Sequence, residues 1–295
     1  MSSNDILLLV LDSLRLDRLS CYGSKDVSTK AIDKLAKDGY RFEYAISTGS
    51  WTVPAHGSIF TGLFPSESGI HKESPFFNSE SGLASNLRNQ GYNTVGISSN
   101  PWITEQFGYN KGFDTFFEMF PTLPFEEVGD PRSVLREHEA SGRFGSYIKL
   151  LKWTLGNNPI KTISNGIFAN WIQDYPISPA QDINSQIISE VQNESSPKFI
   201  FANYMDAHEP YRINGFEQKQ VTESVLDFDW NLNSLINPPD KGNFEQIREL
   251  YNSSIRYLDV SLGQLFEKLI NEGTYDESYI ILLSDHGQSL GESNY

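Results

Sequence analysis

Three stretches of this chain are apolar almost without interruption, and each runs directly towards an acid. Ile6 to Leu11 ends at Asp12. Phe199 to Tyr204 leads into Met205, Asp206, Ala207 and His208, and Ser278 to Leu283 is followed by Ser284, Asp285 and His286. A strand with one wet face alternates apolar and polar residues. One that is apolar throughout is buried on both faces, as happens in parallel sheets covered by helices on each side. The stretches between them have helical character. Lys30 to Gly39 and Ser81 to Gly91 show helical spacing closed by a glycine, Gln181 to Gln192 reads as a helix, and Phe244 to Gly273 keeps a helical period throughout. Thr94 to Ser98, Phe113 to Phe117 and Arg41 to Ile46 read as shorter strands. Strands alternating with helices predict an α/β fold with a mostly parallel central sheet flanked by helices.

The chain has 295 residues and is 38% hydrophobic, enough for one large domain with a sizeable core. A net charge of −15 repels a phosphate backbone and argues against nucleic acid as a partner. The single cysteine, Cys21, allows no disulfide within the chain. The first apolar run is short and flanked by acids, unlike a signal peptide, and no run of about twenty apolar residues is present. The reading is therefore a cytoplasmic protein. From Pro121 to Pro179 the pattern is weaker. Arg143 to Leu155 is amphipathic, with Phe144, Ile148, Leu151 and Leu155 on one face and Lys149 and Lys152 on the other. Such a helix can lie on a membrane, but a helix covering a pocket or docked on the core is the favoured reading.

The residues with chemistry sit at the carboxyl ends of the predicted strands, the edge where open α/β sheets bind ligands. Asp12, Asp285 and His286 could converge there on one divalent cation. Two carboxylates with one imidazole suit Ca2+, Mg2+ or Mn2+, and also admit Zn2+. Each alone could equally be a turn or cap residue. Thr52 precedes Pro54 at the start of a helix that Gly62 and Pro65 would end. Its hydroxyl could cap that helix, or meet a sulfate or phosphate at the positive helix end. His56 lies one helical turn further on. His71, after Gly69 and Ile70, reads mainly as local packing, and His138, between Glu137 and Glu139, as a surface residue.

Taken in order, DxxR, TxPAHxxxxTGxxPxxxGI, GYxTxxIxxN, HEPY and LLSDHGxxLGE resemble the sulfatase family of the alkaline-phosphatase superfamily, through nearly the whole chain. The resemblance aligns Thr52, Pro54, His56, Thr61 and Gly62 with the family's nucleophile motif, His208, Pro210 and Tyr211 with its HxPY element, and Asp285 to Glu292 with its DHGxxLGE element. It implies an alkaline-phosphatase-like domain over residues 1–295 with a variable insert or lid at about 121–180. It further implies one metal held by Asp12, Asp285 and His286, with Thr52 at the metal as nucleophile. His208 would assist the leaving group or bind the anion, and Asn100 would hold the oxyanion. The substrate would be a small-molecule or glycan sulfate or phosphate ester. The oligomeric state is not fixed by the sequence.

Several positions depart from the family pattern. Formylglycine is made from cysteine or serine, which excludes it at Thr52. Ser13 stands where a second Asp is usual, and His56 replaces an Arg. Ser98 to Trp102 replaces a stretch bearing catalytic Lys and His. Members normally continue with more core, a small C-terminal antiparallel sheet and a catalytic Lys, so ending at Tyr295 implies a fragment or a shortened form. Threonine nucleophiles occur in the nucleotide pyrophosphatase/phosphodiesterase and phosphoethanolamine transferase branches, which moves the expectation towards phosphate chemistry. The alternatives are a phospho- or sulfo-group transferase, and a degenerate sulfatase-like protein that binds a glycan without cutting it.

Overall fold

The computed structural model describes residues 4–79, 81–119, 180–193, 197–209, 211 and 241–292, with a few positions between 152 and 161. The chain divides into two compact units, residues 1–120 with 178–295, and residues 121–177. The larger unit begins with β1 (Asp5–Leu11), α1 (Lys30–Asp38), α2 (Thr52–Thr61), α3 (Pro65–Ser68) and α4 (Leu83–Asn89). It continues with β2 (Asn93–Ser98), β3 (Thr115–Glu118), α5 (Ala180–Val191), β4 (Lys198–Tyr204), α6 (Lys241–Asn271) and β5 (Ser278–Leu283). In the smaller unit, Lys152 to Thr154 are helical. The rest of the predicted amphipathic helix lies almost wholly outside the described residues, as does His138.

The strands form one sheet in the order β3-β2-β4-β1-β5, and every pairing is parallel. The uninterrupted apolar runs are explained by what covers them. Leu7, Leu9 and Leu11 of β1 join Ile200 and Ala202 of β4 in a core with Ile183 and Ile187 of α5 and Leu258, Leu262 and Leu265 of α6. Leu8 and Val10, with Phe199 and Phe201, face the opposite way onto Val53 and Phe60 of α2 and Ala84 of α4. Both faces of the central strands are therefore largely dry, and polar residues gather mainly at and beyond the strand ends.

Arg41 to Ile46 does not form the predicted strand; it is irregular, with a turn at 43–44. Phe42, Tyr44 and Ile46 are exposed. Their alternation fits a strand, but no described strand pairs with this segment. No described helix is long and apolar enough to cross a membrane.

Candidate metal and nucleophile site

Strand register brings the site together. Val10 of β1 pairs with Leu283 of β5, so Asp12 and Asp285 lie two residues beyond the same rung. Asp12 keeps the ladder going for one more bond, its N–H donating to Tyr204 O at 2.9 Å. The chain then turns through Ser13, whose φ of 61° is left-handed. That turn aims the Ser13 N–H at Asp285 Oδ1, 3.1 Å away, while its hydroxyl donates to Asp12 Oδ1 at 3.0 Å. The His286 N–H also donates to Asp285 Oδ1, at 2.8 Å. One oxygen of Asp285 is thus fully engaged. The other, Oδ2, is buried and accepts no hydrogen bond. His286 Nε2 lies 3.4 Å from it and 3.6 Å from Asp12 Oδ1.

This donor set fits a divalent cation. One ligand atom from each of Asp12, Asp285 and His286 lies within 4.8 Å of the other two. His286 Nδ1 is 2.8 Å from the Gly287 carbonyl, which can only accept, so Nδ1 carries the proton and Nε2 presents a lone pair to the cluster. A buried carboxylate oxygen without a donor is costly unless something positive meets it. Electrostatics agree. Burial and the charge of Asp12 push Asp285 up to about 7, against the pull of His286 and two backbone N–H groups. Burial would also raise Asp12, but His208, His286, His56 and the Asn100 amide outweigh it and hold that carboxyl below its ordinary value.

Thr52 stands at the tip of α2, in its first turn. Trp51 is the N-cap and provides no side-chain cap bond, and Thr52 does not cap the helix either. Its Oγ1 lies 3.4 Å from Asp12 Oδ2 and 3.4 Å from His286 Nε2, with Thr52 itself buried. The Asn100 amide donates to Asp12 Oδ2 at 2.7 Å and sits 3.5 Å from Thr52 Oγ1. Asn100 therefore touches both the acid and the hydroxyl.

His56 occupies a different place from one facing substrate. It is fully buried, with Nδ1 3.0 Å from Thr52 O and 3.5 Å from Asp285 Oδ2. Nδ1 donates to that carbonyl, so Nε2 accepts from the Asn203 amide at 3.2 Å. Burial lowers its pKa, consistent with a neutral ring. Asn203 is a residue the sequence reading passed over, although a polar side chain inside the run FIFANY is an anomaly worth noting. Ser13 is another, visible beforehand only as a departure from a family pattern.

His208 follows β4 and feels the charges of Asp12 and Asp285. Burial would lower its pKa, but Glu209 and Asp12 prevail and raise it. Its Nδ1 donates to Glu209 O at 2.6 Å, which leaves Nε2 available. His71 is elsewhere, exposed and paired with Glu73 at 3.0 Å. Arg15, the last residue of DxxR, ties the two ends of the chain together: it donates to Glu292 Oε1 at 2.7 Å and Gln288 O at 3.0 Å, within the DHGxxLGE element.

An all-parallel sheet whose carboxyl edge gathers two acids, an imidazole and a helix-tip hydroxyl defines an alkaline-phosphatase-like fold. A solved protein of the alkaline phosphatase superfamily from Vibrio parahaemolyticus superposes with a TM-score of 0.60 at 18% identity, over 100% of this chain and 57% of its own. The phosphonate monoester hydrolase of Agrobacterium radiobacter gives 0.65 at 19% identity, over 99% of this chain and 64% of its own. The chain belongs to the sulfatase family, whose model, described as Sulfatase, matches residues 4–295. An arylsulfatase of Clostridium perfringens is 21% identical over 99% of this chain. The chain spans 64% of the length of that arylsulfatase and 55% of human iduronate 2-sulfatase, to which it is 25% identical over 98% of its own length.

Proposed function

We propose that the protein is a metal-dependent hydrolase of sulfate or phosphate esters with Thr52 as nucleophile. The observation that carries this reading is the position of Thr52 Oγ1, 3.4 Å from both Asp12 Oδ2 and His286 Nε2. Asp12, Asp285 and His286 would hold one divalent cation, which when bound would supply positive charge to lower the pKa of a hydroxyl and to bind ester oxygens. Residues of the chain do the rest. Asp12 Oδ2 is in reach of the Thr52 proton. Thr52 Oγ1 forms a bond to sulfur or phosphorus as the bond to the alcohol oxygen breaks. His208, its pKa raised, gives its proton to the departing alcohol. Asn100 has two amide hydrogens. Asp12 takes one, and the other, whose acceptors are the Met205 sulfur at 3.1 Å and Thr52 Oγ1 at 3.5 Å, would exchange these weak partners for a developing oxyanion. Water then releases the ester from Thr52.

His56 is read as a positioning residue rather than a group that meets substrate, because both ring nitrogens are engaged within the protein. A threonine cannot become formylglycine, which favours phosphorus over sulfur as the centre attacked. The sulfatases among the similar proteins keep sulfate esters within the reading.

The test is an assay panel of aryl sulfate, phosphate monoester, phosphodiester and phosphonate monoester, each with Mn2+, Mg2+, Ca2+ or Zn2+. Turnover of at least one class is expected, and Thr52→Ala should lower it by about 1,000-fold or more. A wild type inert on all four supports the glycan-binding alternative, and transfer of the group to an added alcohol in preference to water supports the transferase.

A further inference from the structure

One buried face of α6 is apolar but for a single hydroxyl. Ile247, Tyr251, Ile255, Leu258, Leu262 and Leu265 follow one another at spacings of three and four, which puts them on one side of the helix, and all are buried. A tyrosine buried in this way needs partners for its hydroxyl. Tyr251 finds two, both in the turn that follows Asp12. Its hydroxyl donates to Ser13 O at 2.8 Å and accepts the backbone N–H of Arg15 at 2.8 Å. Burial raises its pKa, so it keeps the proton that the first bond uses.

The site depends on that turn. Ser13 is left-handed, at a φ of 61°, a conformation that costs a serine energy. Its N–H is one of two that donate to Asp285 Oδ1, and its hydroxyl donates to Asp12 Oδ1. The bond inside the turn, from the Leu14 N–H to Leu11 O, is long at 3.3 Å. The two shorter bonds come from α6. That helix is a firm base for them. Asp259, two turns further along, accepts the N–H groups of Ala31 and Ile32 at 3.1 and 3.0 Å, in the first turn of α1. Tyr211 packs edge to face on the Tyr251 ring, with centroids 5.4 Å apart and planes at 65°. A phenylalanine would fill the same slot without the hydroxyl.

We propose that Tyr251 is a positioning residue for the cation seat. Its hydroxyl brackets the turn from Ser13 to Arg15, and so holds the Ser13 N–H on Asp285 Oδ1 and the Ser13 hydroxyl on Asp12 Oδ1. The inference rests on the reading of Asp12, Asp285 and His286 as ligands of one cation. Tyr251 acts through Ser13 and meets neither cation nor substrate. Outer partners of this kind set the orientation of ligating carboxylates before the ion arrives.

The experiment sets Tyr251→Phe against Tyr204→Phe. The control also loses one buried tyrosine hydroxyl, which donates to Asn184 Oδ1 at 2.8 Å on α5 and not to the turn. Mn2+ affinity measured by calorimetry should fall by about 10-fold in Tyr251→Phe and stay within about 2-fold of the wild type in Tyr204→Phe. Hydrogen exchange of the Ser13 amide, followed by NMR without metal, should be about 10-fold or more faster in Tyr251→Phe than in Tyr204→Phe. An affinity unchanged in Tyr251→Phe, or lowered equally in both variants, overturns the proposal. A wild type that binds no Mn2+ removes the cation reading, and the exchange arm then decides alone. Faster Ser13 exchange in Tyr251→Phe upholds the hold on the turn, and equal exchange in the two variants overturns it in either case.

Discussion

The carboxyl ends of β5 and β4 each carry an aspartate, Asp285 buried and Asp206 half-buried, and loss of water around the carboxyl pushes each of them up to about 7. Each also has one oxygen, Oδ2, that accepts no hydrogen bond. Their surroundings differ. Asp285 faces Asp12 and His286, with ligand atoms of all three inside one 4.8 Å sphere of mutual distance. Asp206 instead accepts the Ala180 N–H at 3.0 Å at the start of α5, and the other charge that raises it is Asp182. A raised carboxyl is therefore a mark of burial at both places. Of the two, only Asp285 has a second acid and an imidazole beside it, a donor set that could hold a cation.

The comparison can be broken from the β5 side by removing His56. That ring fills a buried slot between Thr52 O, Asp285 Oδ2 and the Asn203 amide. His56→Ala leaves a cavity and an amide with a lost partner, so folding stability measured by urea unfolding should drop by roughly 3 kcal/mol. A drop below about 1 kcal/mol would show that the slot is not tightly filled.

A smaller effect is expected at β4. The Asp206 carboxyl is raised from its ordinary 3.8 to about 7 in the fold, so the folded state holds a proton that the unfolded state gives up between those values. Its contribution to stability is fully present below pH 3.8 and is lost as pH rises to about 7. Asp206→Asn keeps an acceptor for Ala180 and removes the titration. Between pH 4 and 7 the stability of the wild type should decline relative to Asp206→Asn, by at most about 1.4 kcal/mol per pH unit. Parallel curves for the two proteins would show that Asp206 does not titrate in that range.

Most of the frame could be read before any coordinates. Ile6 to Leu11, Phe199 to Tyr204 and Ser278 to Leu283 are apolar because both sheet faces are covered, and that pattern is local in sequence. The convergence of Asp12, Asp285, His286 and Thr52 is not local. Residues 12 and 285 meet through the β1–β5 register, and only the order of motifs hinted at it. Arg41 to Ile46 misled because alternation along a segment does not supply it with a partner strand. Ser13 matters through a left-handed backbone and its N–H, which no side-chain pattern displays. Asn203 depends on a partner separated from it by about half of the chain, so it carries no periodic signature.

The most direct measurement is a Mn2+ titration followed by electron paramagnetic resonance on the wild type, Asp285→Asn and Asp206→Asn. If the β5 end is the cation seat, the wild type and Asp206→Asn bind one Mn2+ with the same affinity, and Asp285→Asn binds it at least about 100-fold more weakly. Equal affinity in all three proteins, or an equal loss in both variants, would contradict it.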